Sequence, residues 1–319
     1  MSTFSFPTKS VNDLHPELQS VLNEERKKKN FDPATFCAER TDQLVKYLKK
    51  HNLKAVVVSI SGGVDSASIL GLLKKAQDLA ALDASHPFNP ANGGKIIPVA
   101  QPINSTPKIQ NRAYEVAAAF GVDVVTVDQT DVHNQLVNTI EQQMGELQGF
   151  SKSMFKSYQR TPVAYLIASH YGGIVVGTGN LDEDGYLYYY CKFGDGAVDV
   201  GLIWDLHKSQ VFQLAAYLGV PESILIAPPS ADLAPGQTDE AEIGATYDMV
   251  ELVYMYVFNF DETRKREFLA GLSPEAKSQF DREYATIQRI HQRGQHKADL
   301  NPRNMGSQWY FEHMSDDSA

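Results

Sequence analysis

Residues 54–66 read KAVVVSISGGVDS, and the order of elements in this stretch decides the fold. Lys54 to Ile60 is a short run rich in valine and isoleucine, the composition of a strand buried on both faces. The segment 59–66, SISGGVDS, then turns the chain, and residues 67–82 space their apolar side chains as a helix packed on a sheet does. The physical logic of such a strand, glycine turn and helix is phosphate binding. Gly62 and Gly63 permit tight backbone conformations, and the following helix offers free N–H groups and its positive dipole end to an anion. Ser61 and Ser66 add hydroxyl donors. Asp65 repels phosphates unless a cation lies between, so it is a natural Mg²⁺ ligand. No lysine follows the glycines as in G-x-x-x-x-G-K-[ST], and the spacing is not G-x-G-x-x-G, which disfavours a Walker-type kinase and a dinucleotide fingerprint. The plain alternative is a strand-to-helix turn with incidental glycines and a serine cap.

Upstream of this stretch, Cys37, Thr41, Leu44 and Leu48 recur at helical spacing. Residues 1–32 are polar and carry the run EERKKK at 24–29, which reads as an extended arm with one helix and with Arg26 to Lys29 facing solvent. Downstream, a Pro, Asn and Gly-rich loop at 83–94 precedes a strand at 95–100, a helix through Phe120 and a strand at 122–127. Helical patterns cover about 131–147 and 154–170, and GIVVG at 173–177 supplies a fourth strand. Alternation of this kind predicts an α/β fold, a doubly wound parallel sheet flanked by helices, with ligands at the carboxyl ends of the strands. Residues 181–200, dominated by Tyr, Gly and Asp, read as an active-site loop. A helix at 208–218, a Pro-rich turn at 227–235, and helices after Asp239 and over 275–292 complete the pattern. The expected organisation is an N-terminal arm (1–32), one domain (33–304) and a C-terminal tail (305–319).

With 319 residues and 43% hydrophobic side chains, the chain suffices for one large core. A formal net charge of −10 argues against general binding of nucleic acid and leaves room for a local basic pocket for phosphates. Cys37 and Cys191 are too few for a disulfide framework or a four-cysteine zinc site, and a reducing compartment fits. No secretory signal pattern opens the chain, and no stretch approaches the roughly 20 apolar residues of a membrane helix. A cytoplasmic protein without membrane partners is expected.

The glycine segment resembles the SGGxDS signature of ATP pyrophosphatases, which share a Rossmann-like fold. GTGNLDE, KFGDGAVD, DLHKSQ and APPSADLAPGQTDE follow in this order. Together they look like the ATP and substrate loops of ammonia-dependent NAD synthetases, over about residues 35–300. The resemblance implies that deamido-NAD, ATP and ammonia are joined: the nicotinate carboxylate attacks the α-phosphate, pyrophosphate leaves, and ammonia displaces AMP to form the amide. By the same resemblance, Ser59, Ile60, Ser61, Gly62, Gly63, Val64, Asp65 and Ser66 form the ATP loop, and Thr178, Lys208 and Ser230 also match groups on ATP. Asp65 and Glu183 match the two Mg²⁺ carboxylates, with Lys208 among the catalytic groups. Tyr158, Arg160, Lys192, Asp199, His296 and Lys297 fall where deamido-NAD contacts are expected. Asp195, inside KFGDG, is the candidate to receive ammonium, because a carboxylate attracts the cation and accepts its proton.

This chain departs from the common bacterial pattern at three points. Tyr158 stands where a substrate-binding Arg is usual, with Arg160 two residues on; Glu183 and Lys192 are one residue further apart; and Ser59 replaces a Gly. Glutamine-dependent relatives carry a large N-terminal amidase domain, whereas only about fifty residues precede the core strand here, so free or partner-supplied ammonia is expected. Cys37 reads as a buried core thiol. Tyr186, Tyr188, Tyr189 and Tyr190 read as core or contact aromatics before ring-stacking ligands. The family implies a homodimer, with the 131–170 helices as contact surfaces. The competing functions are a GMP synthetase-like amidotransferase with the same loop and a non-catalytic ATP sensor, from which pyrophosphate release separates an enzyme.

Overall fold

The computed structural model describes residues 14–227 and 238–298, apart from the side chains of 107–110. Helix α1 (Pro16–Lys29) is followed by α2 (Pro33–Lys50), whose start is set by Asp32: its carboxylate accepts the Ala34 and Thr35 N–H groups while Pro33 opens the first turn. Cys37, Thr41, Leu44 and Leu48 are the residues α2 buries, as their spacing requires. Strand β1 (Ala55–Ser59) leads through the glycine turn into α3 (Val64–Ala80). Then come β2 (Lys95–Ala100), α4 (Pro107–Ala119), β3 (Val125–Thr126), α5 (Thr130–Met144), α6 (Gly149–Tyr171), β4 (Gly173–Gly177) and β5 (Val200–Gly201).

The strands form one parallel sheet in the order β3-β2-β1-β4-β5. Alternation along β1 explains the double winding: Val56 and Val58 pack with α2 and α3, whereas Ala55 and Val57 pack with Ala164 and Ala168 of α6. The chain leaves β1 for β2 on one side and later returns to β4 on the other. The carboxyl ends of β1 and β4 therefore flank a topological switch point, where such sheets bind ligands.

Beyond the sheet lie α7 (Lys208–Leu218), α8 (Glu222–Leu225), α9 (Asp239–Ile243), α10 (Tyr247–Phe258), α11 (Glu262–Gly271) and α12 (Pro274–Gly294). Helices α9 to α12 build a second apolar cluster, and α1 joins it through Leu18 and Leu22, both fully buried. Each such leucine contributes about 1.5–3 kcal/mol of apolar burial, so α1 is an integral layer of the fold and not an extended arm. Nor does Arg26 face solvent: its guanidinium lies between Asp248 and Glu251 of α10. Two further expectations need correction. The expected strand at 122–127 reduces to Val125–Thr126, and residues 181–187 form a wide helical turn rather than irregular loop. Ser230, the Pro-rich turn from 228 on and the tail 305–319 lie outside the described residues.

Candidate active site

Loop 60–63 occupies the carboxyl end of β1. Gly62 takes φ +77°, a left-handed conformation that costs side-chain-bearing residues energy, and Gly63 is the N-cap of α3. The two serines lock the turn: Ser61 Oγ accepts Gly63 N–H at 3.2 Å, and Ser66 Oγ donates to Gly63 O at 3.1 Å. Ser61 Oγ lies 3.3 Å from Ser66 Oγ. Because Gly63 supplies no capping side chain, the first N–H groups of α3 are left to an anion.

Asp65, in the first turn of α3, meets residues from two other elements. Lys208 Nζ, at the start of α7, donates to Asp65 Oδ2 at 2.6 Å and to Glu183 Oε1 at 2.7 Å. Asn180 holds both acids in place, its amide donating to Asp65 Oδ1 at 2.9 Å while its own oxygen accepts Glu183 N–H at 3.0 Å. Tyr247, at the start of α10, donates its hydroxyl to Glu183 and lies under the Lys208 ammonium, 5.0 Å from Nζ to the ring centre. The lysine is only 2% exposed. Burial works against its charge, but Asp65 and Glu183 outweigh it and raise its pKa. For Glu183, burial works upward, yet Lys208 with Tyr247 and Asn180 holds the carboxyl below its usual value. Asp65 goes the other way, because burial and the neighbouring Glu183 outweigh Lys208. The two acids thus share one cation and titrate as a unit.

A cleft of about 190 Å³ opens between β1, β2, β4 and α6, lined among others by Ser59, Ser61, Thr178, Ser157, Arg160 and Asp195. Arg160 Nε donates to Gln101 O at 3.2 Å, and Gln101 Nε2 donates to Ser59 Oγ at 3.2 Å, which ties α6 to the loop strand. Ser157 Oγ and Cys191 N–H both donate to Asp195 Oδ1, at 2.6 and 3.0 Å. The other sequence candidates lie off this wall. Asp199 accepts Val175 N–H through Oδ2 at 2.7 Å and so braces β4. Lys192 sits against the Phe193 ring, Tyr158 is partly exposed on α6, and His296 bonds to Arg293 O. Lys297 Nζ donates to the carbonyls of Tyr188 and Tyr190, at 2.8 and 2.7 Å, and thereby fastens the end of α12 to the 181–190 segment.

Both cysteines are buried, and burial raises their thiols, Cys191 up to about 12, which removes them as nucleophiles at neutral pH. Sequence reasoning missed Asn180 and Tyr247. The first lies inside GTGNLDE and was open to notice; the second is a lone tyrosine whose role exists only because α10 docks on α7.

A glycine cradle at a sheet switch point, beside paired carboxylates and a buried lysine, defines a Rossmann-like nucleotide-binding protein of the ATP-pyrophosphatase type. Residues 36–301 match the family model described as NAD synthase, and the chain belongs to that family. It is 31% identical to the NH(3)-dependent NAD(+) synthetase of Alkaliphilus oremlandii, over 82% of this chain and 94% of that one. With the enzyme of the same name from Thermoplasma volcanium it shares 37% identity over 66% of this chain and 80% of the relative. Among solved structures, that of NMN synthetase from Francisella tularensis superposes with a TM-score of 0.68 at 26% identity, covering 86% of this chain and 99% of that one. The family uses ATP. Among the described residues no helix is long and apolar enough to cross a membrane.

Proposed function

We propose that this protein is a cytoplasmic ligase that amidates deamido-NAD with ammonia at the expense of ATP, releasing AMP and pyrophosphate. The observation that carries the reading is the Lys208 ammonium held between Asp65 and Glu183 beside an anion-binding loop, in a chain of this family. Mg²⁺ fits these residues. Two carboxylates already converge on a cation, and Mg²⁺ is usually held by one or two carboxylates together with substrate phosphates. Asp65 and Glu183 would hold the ion together with oxygens of the bound substrate, since among the described residues no cluster of three or more His, Cys, Asp or Glu could hold a metal alone. When bound there, the ion neutralises charge growing on departing pyrophosphate.

The remaining work falls to protein groups. The loop N–H donors and the Ser61 hydroxyl hold the pyrophosphate oxygens, Ser66 being spent on Gly63 O to shape the loop, and Lys208 compensates their charge without any covalent step. The nicotinate carboxylate attacks the α-phosphorus, the P–O bond to pyrophosphate breaks, and an acyl adenylate results. Asp195 takes a proton from ammonium; ammonia then adds to the acyl carbon and AMP departs. Asp195→Asn is expected to lower the rate at limiting ammonium by roughly tenfold or more, within the usual contribution of a general base. Full activity under that condition would remove Asp195 from the role.

A homodimer is part of the proposal. Helices α5 and α6 expose Val132, Leu136, Met144, Phe150 and Leu166, a density of large apolar side chains that a second copy of the chain would cover. A second reading rests on the 0.68 superposition with an NMN synthetase: the acceptor is the mononucleotide, nicotinate mononucleotide, and the product NMN. One assay tests both. AMP, pyrophosphate, NAD and NMN are followed by mass spectrometry from ATP, Mg²⁺ and ammonium with either acceptor. NAD formed in equal amount to AMP is the expected result, and NMN with little NAD moves the assignment to the second reading. Pyrophosphate without either product points to another acceptor, and ATP binding without turnover to a sensor.

A further inference from the structure

Three consecutive residues, His207, Lys208 and Ser209, open helix α7, and each is tied from behind by a chain of polar groups that ends on α1. Ser209 Oγ donates to Glu251 Oε2 at 2.7 Å, and the same oxygen receives Arg26 Nη2 at 2.5 Å and Nε at 3.1 Å. His207 Nε2 lies 3.3 Å from Lys29 Nζ, and His207 Nδ1 lies 2.7 Å from Asp182 Oδ1. An ammonium only donates, so Nε2 is the acceptor, the ring proton sits on Nδ1, and that proton is given to Asp182. The other oxygen of Asp182 accepts Lys208 N–H at 2.7 Å. These groups on α7, on the 181–187 turn and on α10 are buried: His207 is 1% exposed, Asp182 0% and Glu251 2%. Helix α1 ends at residue 29, whereas the family match begins at residue 36.

We propose that α1, outside the matched region, is a working part of the active site: Lys29 and Arg26 are positioning residues that fix the first turn of α7, and hence Lys208, against Asp65 and Glu183. The inference rests on the reading of Lys208 as a group on ATP. Its physical basis is directional. Lys208 Nζ is aimed from the N-terminus of a helix, and rotating that turn moves the ammonium away from both carboxylates. Lys29 also selects the tautomer in which the buried His207 donates to Asp182. Without a donor at Nε2 the ring loses that selection, and Asp182 loses a fixed partner on the oxygen beside the one that holds Lys208 N–H.

The test compares full-length wild-type protein with Lys29→Met and Lys29→Arg. Lys29 ends its helix and is exposed apart from its tip, so both variants are expected to fold. In Lys29→Met, amide exchange at residues 207–209 rises about tenfold and kcat/KM for ATP falls roughly tenfold, the lower end of what loss of an outer-sphere partner costs a metal or active site. The KM for the acceptor and the melting temperature stay near wild type, which a merely structural role would not give, and Lys29→Arg restores exchange and ATP kinetics. Wild-type exchange at 207–209 in Lys29→Met overturns the proposal, as does an arginine variant no better than the methionine one. A wild-type protein that forms neither product strikes the function reading alone, since amide exchange at 207–209 is read without turnover and still decides the proposal.

Discussion

Lys208→Met is expected to lower turnover at saturating ATP by about three orders of magnitude, the upper range for removing one preorganised electrostatic group from a desolvated site. The size follows from position. Lys208 is the cation that Asp65 and Glu183 share, at 2.6 and 2.7 Å, and it is held there by Tyr247 beneath and by the first turn of α7. A methionine fills the same space and leaves two buried carboxylates facing each other with no cation between them. Breaking a buried pair by removing one partner costs about 3–5 kcal/mol. In a chain of this size that corresponds to roughly 5–8 °C in melting temperature. The carboxylates recover part of this loss by sharing a proton, so the deficit shrinks as pH falls; Glu183, held low by Lys208 in the wild type, loses that depression in the variant. They recover it better from a divalent cation. Melting of Lys208→Met should therefore rise by several degrees when Mg²⁺ replaces EDTA, while wild-type protein without ATP responds little because the lysine already occupies the seat. Turnover within tenfold of wild type would remove Lys208 from catalysis, and a Mg²⁺-insensitive variant would remove the acids from metal binding.

How much of this was legible in the sequence depends on the range of the interaction that fixes each part. β1, β2 and β4 stood out because a central parallel strand is apolar on both faces, and α2 and α7 because their buried residues recur at helical spacing. β3 and β5 have two residues each, too short to carry any period, and they pair only because the neighbouring strand edge is there. The wide turn at 181–187 is held by Asn180 and by packing of Tyr186 and Leu187 on the helical layer, neither of which a local reading reaches. Asp65, Glu183 and Lys208 came from motifs that lie 25 to 143 residues apart and converge on one ammonium. Arg26 was misjudged for the complementary reason. In sequence it belongs to a charged run, and its partners Asp248 and Glu251 lie on a helix more than two hundred residues away.

Gly62→Ala is the second substitution expected to act strongly, and it acts through shape instead of charge. An alanine Cβ at this position falls 2.6 Å from Arg112 Cβ and 2.9 Å from Ala113 N, atoms of α4 that cannot swing aside as a side-chain tip can. The backbone must also keep φ +77°, where an L-residue pays on the order of 1–2 kcal/mol. Either α4 shifts away from the sheet or the loop abandons its left-handed turn. Each outcome displaces the N–H groups of α3 from the phosphate position, and a displacement near 1 Å costs about 100-fold in rate. Gly63→Ala supplies the control for stability. Its nearest neighbour is Ser61 Oγ at 3.3 Å and its φ is −86°, within reach of any residue, so it should melt close to wild type. The pair separates geometry from the mere presence of a methyl group in the loop. If Gly62→Ala kept wild-type turnover and melting, α4 would not be the rigid wall against which the loop is formed, and the cradle would owe its shape to the Ser61 and Ser66 hydrogen bonds alone.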